Sequence, residues 1–312
     1  MMHVPVLLKE TLQFLNAAQG GRFVDCTVGF GGHTAAILES NAKNKVLGID
    51  LDQSSLDKLR ETLAQRGLAQ RATLVQGNFK DIERIISESE FGPVDGILLD
   101  LGFSSWQLDN PARGFSFQVD GPLDMRLNPE SKKTAADVVG SYGPKDLEKV
   151  IKDFGEDRFA RQIAGAIIRA RKLKKIDSTI FLAEIIRSAV PAPVRYRAND
   201  NIRRVFQAIR IKVNGELENL SQVLPAALKV LKPGGRLAVI SFHSLEDRMV
   251  KEFFANRAKD CVCPPEFPTC VCDKKAELKI LTRKPVIATE EEGGINPRSK
   301  SAKLRTAEKI TN

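Results

Sequence analysis

The stretch Arg22-Phe23-Val24-Asp25-Cys26-Thr27-Val28-Gly29-Phe30-Gly31-Gly32-His33-Thr34 decides how the rest of the chain is read. It begins as a short apolar strand, turns at its glycines, and enters helical apolar spacing at Thr34. Glycine adopts torsions other residues avoid and lets a ligand come close to the backbone. The helix that follows offers free N–H donors at its N-terminus.

Upstream, His3-Val4-Pro5-Val6-Leu7-Leu8 leads into a helix expected over Lys9 to Asn16 and stopped by Gly20-Gly21. Downstream, a helix over Thr34 to Ser40 is followed by a second strand, Lys45 to Asp50, that ends in an acid. A helix over Leu56 to Leu68, a strand over Ala72 to Gln76 and a helix over Asp81 to Ser87 come next. Val94 to Asp100 is almost continuously apolar, as in a strand covered on both faces. Strands alternating with helices predict a Rossmann-like α/β fold with a mostly parallel, doubly wound sheet.

From Gln107 to Asn214 no strong strand is expected. Helical patterns run over Leu147–Phe154, Arg158–Lys175, Thr179–Ala189 and Val205–Val213, a stretch too long for a loop and equipped with its own apolar faces. The alternation resumes with a helix over Glu216 to Leu231, which Pro225 should kink or divide and Pro233-Gly234-Gly235 should end. Arg236 to Ser241 reads as a fifth strand, Leu245 to Arg257 as a helix, and Leu278–Arg283 with Ala302–Thr306 as a last pair of strands. The expected organisation is a discontinuous domain, residues 1–108 and 213–312, around a helical insert, residues 109–212.

The chain has 312 residues, 42% hydrophobic and 28% charged, with a net charge of +9. No apolar run reaches the roughly 18 residues of a membrane span, and no secretion signal is visible, so a cytoplasmic protein is expected. A basic surplus favours polyanionic partners, nucleic acid first. With one Trp and two Tyr, a surface of stacked aromatics for single-stranded RNA is not expected. Neither monomer nor homodimer is favoured.

A glycine turn after strand one and an acid ending strand two are shared by nicotinamide-dependent oxidoreductases and S-adenosylmethionine (SAM) methyltransferases. Here Thr34 stands where a dinucleotide turn places its third glycine. Asp25 ends strand one, suited to the amino group of a methionine, and Asp100 ends strand four at the edge where open α/β sheets bind ligands. These details favour SAM.

A longer set of motifs points the same way. It comprises His3-Val4-Pro5-Val6-Leu7, Gly31-Gly32-His33, Gly77-Asn78-Phe79, Leu99-Asp100-Leu101-Gly102, and Ser104-Ser105 with Gln107-Leu108. It continues with Arg113-Gly114-Phe115-Ser116-Phe117, Gly121-Pro122-Leu123-Asp124-Met125-Arg126, Phe206-Gln207-Ala208-Ile209-Arg210, Ser241-Phe242-His243-Ser244-Leu245-Glu246-Asp247-Arg248 and Asn296-Pro297-Arg298-Ser299. In these the chain resembles the bacterial SAM-dependent methyltransferases that modify the N4 position of a cytidine in 16S ribosomal RNA of the small subunit. The resemblance implies a class I methyltransferase fold. It implies SAM contacts at Gly31, Gly32, His33, Asp50, Phe79, Asp100 and Gln107, and an insert that helps hold the RNA. The chain departs from the family pattern at Phe30, where a basic residue is usual, and at Asp200-Asn201-Ile202-Arg203-Arg204, where a His-Pro-Ala-Thr-Arg run is usual.

Asp50 is placed on the ribose, with capping of the next helix as its plainer reading. His33 is expected to contact the cofactor through its backbone N–H. Asp100 stands nearest the chemistry, as an acceptor for an attacking amine or as a cofactor contact. Arg203, Arg204, Arg210 and His243 are candidates for RNA contacts, and the basic run Arg169 to Lys175 for phosphate binding. Cys261, Cys263, Cys270 and Cys272 form a C-x-C…C-x-C pair, either a closed structural zinc site or free or paired thiols. A nicotinamide-dependent oxidoreductase and a non-catalytic RNA-binding protein on the same fold are the alternatives.

Overall fold

The computed structural model describes residues 5–102, 108, 110–264 and 269–310. The chain divides into two compact units, one of Met1–Gly102 with Glu218–Asn312 and one of Phe103–Leu217. The divisions expected from sequence lie at 108/109 and 212/213.

Among the described residues of the first unit, seven strands form one sheet in the order β3-β2-β1-β4-β5-β7-β6. These are β1 Arg22–Asp25, β2 Lys45–Asp50, β3 Ala72–Gln76, β4 Val94–Asp100, β5 Leu231–Ser241, β6 Leu278–Ile280 and β7 Lys303–Lys309. The pairings from β3 through β5 are parallel, and β7 runs antiparallel between β5 and β6. Side chains alternate faces along a strand. Ile97, Leu99, Leu237 and Val239 therefore enter one apolar cluster, while Leu98, Ala238 and Ile240 enter the other. Helices cover both clusters, which is why β4 and β5 carry few polar residues.

The chain ahead of β5 departs from expectation. The Glu216–Val230 helix runs through Pro225 as one element, and β5 starts directly after it at Leu231. Leu231 pairs with Val94 and Arg236 with Gly96, so Lys232 to Gly235 bulge opposite Asp95 alone. Lys232 forms an ion pair with that Asp95. Pro233-Gly234-Gly235 thus bends a strand already begun instead of ending a helix; Gly234 supplies the left-handed torsion, φ 77°.

The second unit is helical: Ala135–Ser141, Pro144–Gly155, Ala160–Leu173, Thr179–Ala189 and Ala198–Asn214. Its core includes Leu147, Ile151, Ile163, Ile167, Leu182, Ile186, Val205 and Ile209, residues three or four apart on successive helices. The sequence pattern misses the Ala135–Ser141 helix, held at its start by a capping box between Thr134 and Asp137. Several family-like motifs are internal ties here. Asp124 holds Arg126 in two hydrogen bonds, Nε to Oδ1 at 2.9 Å and Nη2 to Oδ2 at 2.6 Å. The Arg113 Nη2 donates to the carbonyls of Arg126 and Leu127.

The glycine turn lies between β1 and the Gly32–Ser40 helix. Gly31 has φ 77°, and a Cβ there would stand 2.0 Å from Leu59 Cδ1, a fully buried side chain. Gly31→Ala therefore costs at least ~1–2 kcal/mol for the left-handed backbone, plus the displacement of Leu59. Equilibrium urea unfolding at neutral pH checks this, with Gly67→Ala as the comparison, since Gly67 shares the positive φ but has open space around its Cβ.

Candidate active site

In an open α/β sheet, ligands bind beyond the carboxyl ends of the strands where the order reverses direction. Here that point lies at β1, flanked by β2 on one side and β4 on the other. Asp25, Asp50 and Asp100 end those strands, and the glycine turn leaves β1 among them.

Each acid is tied to the turn. Asp25 is buried, its Oδ2 accepting from the Thr34 hydroxyl at 2.7 Å and its Oδ1 from the Thr27 N–H at 3.2 Å. Asp50 accepts from the Gly29 N–H on Oδ2 at 2.8 Å and from the Asp52 N–H on Oδ1 at 2.9 Å. The Asp100 N–H donates to the Thr27 hydroxyl oxygen at 2.7 Å. Thr34 therefore replaces the third glycine of a dinucleotide turn with a hydroxyl that fixes Asp25. Beside the amino-group role read for Asp25, the structure adds one as a tie: both its oxygens hold the turn.

Burial raises the Asp25 carboxyl above its ordinary range, against the opposing influence of His33 and the Thr34 and Thr27 donors. Burial likewise raises Asp50, to about 6, although the N–H groups of Asp52 and Gly29 oppose it. The capping role weighed for Asp50 falls instead to Asp52, whose side chain accepts from the Ser54 N–H at 3.0 Å. Sequence reasoning passed over Asp52, and over Thr27; the Asp-x-Asp spacing at the strand end was the available signal for the first.

Gly32 and His33 open the Gly32–Ser40 helix, whose first N–H groups have no intrahelical acceptor. The His33 side chain is buried, its Nε2 3.6 Å from Asp100 Oδ2, and neither ring nitrogen has a hydrogen-bond partner among the described residues. The expectation for His33 concerned its backbone; the imidazole itself faces Asp100. Asp100 Oδ1 is buried and, among the described residues, without a partner too. Phe79, half-buried in the turn after β3, packs against the apolar cluster that includes Ile82 and Leu99.

His243 follows β5 as the N-cap of the Ser244–Arg257 helix. Its Nδ1 accepts weakly from the Glu246 N–H at 3.5 Å, and Glu246 Oε2 accepts from the Phe242 N–H at 2.9 Å. In the second unit, Arg203 and Arg204 are exposed on the Ala198–Asn214 helix, Arg203 in a surface pair with Asp200. Arg210 is mostly buried and bound in two contacts to Glu216, at 2.8 and 2.7 Å. Gln107 lies outside the described residues.

The C-terminal cysteines are free thiols brought together in one cluster, whose ligand atoms all lie within 4.8 Å of one another. Backbone N–H groups of Val262 and Lys274 lower the Cys272 thiol to about 6. Cys261 is relieved by the Cys263 N–H, yet proton sharing with Cys270, Cys263 and Cys272 pushes it up to about 12.

The doubly wound sheet, with its antiparallel seventh strand and three acids gathered around a glycine turn, defines a class I SAM-dependent methyltransferase. The chain belongs to the MraW methylase family, whose model matches residues 1–310. It is 51% identical over 309 residues to "Ribosomal RNA small subunit methyltransferase H" of Carboxydothermus hydrogenoformans, covering 99% of this chain and 98% of that one. The protein of the same name from Heliobacterium modesticaldum is 48% identical over 310 residues, covering 99% and 98%. That from Halothermothrix orenii is 45% identical over 311 residues, covering 99% of each. The oxidoreductase alternative is thereby set aside. No helix of the described residues is long and apolar enough to cross a membrane.

The Asp50 carboxyl ionises near pH 3.8 in the unfolded chain and near 6 in the folded one, so folding takes up a proton between those values. Its ionised form withdraws stability above pH 6, and that loss, of order 3 kcal/mol, is relieved as the pH falls from about 6 to about 4. Urea unfolding at pH 7 and pH 5 is expected to show wild type gaining stability relative to Asp50→Asn at the lower pH, whichever of the two is the more stable at pH 7.

Proposed function

We propose that this enzyme transfers a methyl group from SAM to the N4 amino group of a cytidine in 16S ribosomal RNA, in the cytoplasm, on RNA carried by the small subunit. Its relatives' name as small-subunit ribosomal RNA methyltransferases and the motif resemblance support the substrate. The observation that carries the chemistry is at Asp100, whose Oδ1 is buried at the reversal point of the sheet with no partner among the described residues.

The residues fit SAM. A Cβ on Gly31 or Gly32 would meet Leu59 or Pro5, so these glycines let the turn pack closely, and nothing stands within 4 Å of a Cβ built on Gly29, which leaves room for a ligand there. Each Asp50 oxygen already accepts one N–H and keeps a lone pair for a ribose hydroxyl. Phe79 flanks the adenine, and His33 and Asp100 stand toward the reacting end. SAM when bound supplies an electrophilic methyl group on a positively charged sulfur.

The exocyclic amine of cytosine is a weak nucleophile because its lone pair is delocalised into the ring. An Asp100 oxygen that accepts its N–H raises electron density on the nitrogen and can hold the proton afterwards. His33 lies beside that carboxylate, 3.6 Å from its Oδ2. Positioning amine and methyl in line supplies much of the remaining rate enhancement. Neither a covalent enzyme intermediate nor Cys26, buried and with its thiol raised well above the ordinary value, is needed.

The helical unit presents the RNA, and its exposed Arg203, Arg204, Arg169, Lys172, Lys174 and Lys175 meet phosphates, while Arg171 of the same run is held by the carbonyls of Val139 and Tyr142. Arg210 and His243, built into an ion pair and a helix cap, support the fold more than the RNA.

Methyl transfer from labelled SAM to small subunits of a deletion strain, with the product nucleotide mapped by mass spectrometry, tests the proposal. Label on a cytidine N4 supports it; RNA binding without label favours a non-catalytic binder. Asp100→Asn should cut turnover about 100-fold or more while S-adenosylhomocysteine still binds, whereas Asp50→Ala should mainly weaken that binding. Near-normal turnover removes Asp100 from the chemistry. Arg203→Ala with Arg204→Ala should weaken RNA binding and flatten its salt dependence by about one unit per lost phosphate contact. Arg210→Ala should instead cost about 3 kcal/mol of stability, read by urea unfolding.

A further inference from the structure

The loop from Arg257 to Glu277 joins the Ser244–Arg257 helix to β6 and takes no part in the site above. Val262 and Val271 are 56% and 66% exposed, so burial of their side chains does not hold this part of the loop in shape. Yet its cysteine sulfurs converge. Cys270 and Cys272 lie 3.5 Å apart, Cys272 and Cys261 3.8 Å, and Cys263 and Cys270 3.9 Å. A disulfide would bring a pair to about 2.05 Å. Four thiolates around one ion with bonds of ~2.3 Å sit at tetrahedron corners about 3.8 Å apart; three of the six edges lie near that value and all six within 4.8 Å. An iron–sulfur cluster would spread them wider, because irons and sulfides stand between its cysteines.

The backbone is arranged for anionic sulfur. The Val262 N–H points at Cys272 Sγ (3.4 Å), the Cys263 N–H at Cys261 Sγ (3.4 Å) and the Val271 N–H at Cys263 Sγ (3.3 Å). Such N–H···S contacts stabilise thiolates and orient them, as surrounding hydrogen bonds do for metal ligands generally. Each C-x-C pair turns through its central valine, which leaves both valines facing outward. We propose that Cys261, Cys263, Cys270 and Cys272 bind one zinc ion in a closed tetrahedral site. Four protein ligands leave no position for water or substrate, so the ion is structural.

Its place in the fold gives it work. β6 spans Leu278–Ile280 at the sheet edge and pairs only with β7 among the described strands. The Glu277 N–H donates to the Arg257 carbonyl at 2.8 Å, and Arg257 pairs with Glu277 at 2.6 Å. These contacts close the base of the loop, and zinc closes its far end, so the edge strand is reached by a clamped connection. Zinc binding displaces the thiol protons that remain and leaves a doubly negative centre, with Lys259, Lys274 and Lys275 nearby in the chain to offset it.

The test is metal analysis of full-length protein purified under reducing conditions without chelator. One zinc per chain is expected, released in step with reaction of four thiols by a mercurial. Cobalt should replace it with the visible spectrum of a tetrahedral thiolate site. Cys270→Ser with Cys272→Ser should lose the metal, become open to trypsin at Lys259, Lys274 and Lys275, and still bind S-adenosylhomocysteine. Should that variant fail to fold, the same trypsin sites are compared in wild type with and without a strong chelator. Protein without metal that takes up no added zinc overturns the proposal, and so does stoichiometric iron.

Discussion

The Asp25 carboxylate is the point on which the active end of the sheet depends. Both oxygens hold the backbone and side chain of the turn that leaves β1, through Thr27 and Thr34. Thr27 in turn takes the N–H of Asp100, and Gly29, two residues along, binds Asp50. A buried carboxyl thus links the ends of three parallel strands through one short turn. Desolvation raises its cost, and the surrounding donors lower it, the usual condition under which a buried charge is retained.

This explains what the sequence could and could not reveal. The strands β1, β2 and β4 are legible because both faces are covered, which favours continuous apolar runs, whereas β3 lies half-exposed at the sheet edge. The helices of the second unit are legible because each packs one stripe into a common core. The Pro-Gly-Gly segment misleads because those residues signal a break in regular structure without saying whether it falls between elements or inside one. Here it falls inside β5. The Ala135–Ser141 helix is too short for periodicity to show, and its capping box is the better marker.

At the site, position was legible and partnership was not. Acids at strand ends could be placed from spacing alone. That Asp25 holds the turn, Asp52 caps a helix and the His33 ring faces Asp100 depends on three-dimensional contacts. The arginines show the same limit. Arg203 and Arg210 lie on one helix, yet one is exposed and the other lies against Glu216. The difference arises at Gly215, whose left-handed torsion, φ 60°, ends the helix between Arg210 and its partner.

The position of β7 has a consequence for how the molecule comes into being. Residues 303–309 lie inside the sheet, between β5 and an edge strand that precedes them in the chain. During vectorial synthesis β6 emerges before the strand that separates it from β5, so among the described strands it has none to pair with until β7 arrives. The early-emerging β1 to β4 can pair among themselves, whereas the last part of the sheet must wait. Nascent-chain quality control therefore meets a molecule whose cofactor-side strands are assembled while its far edge is still open.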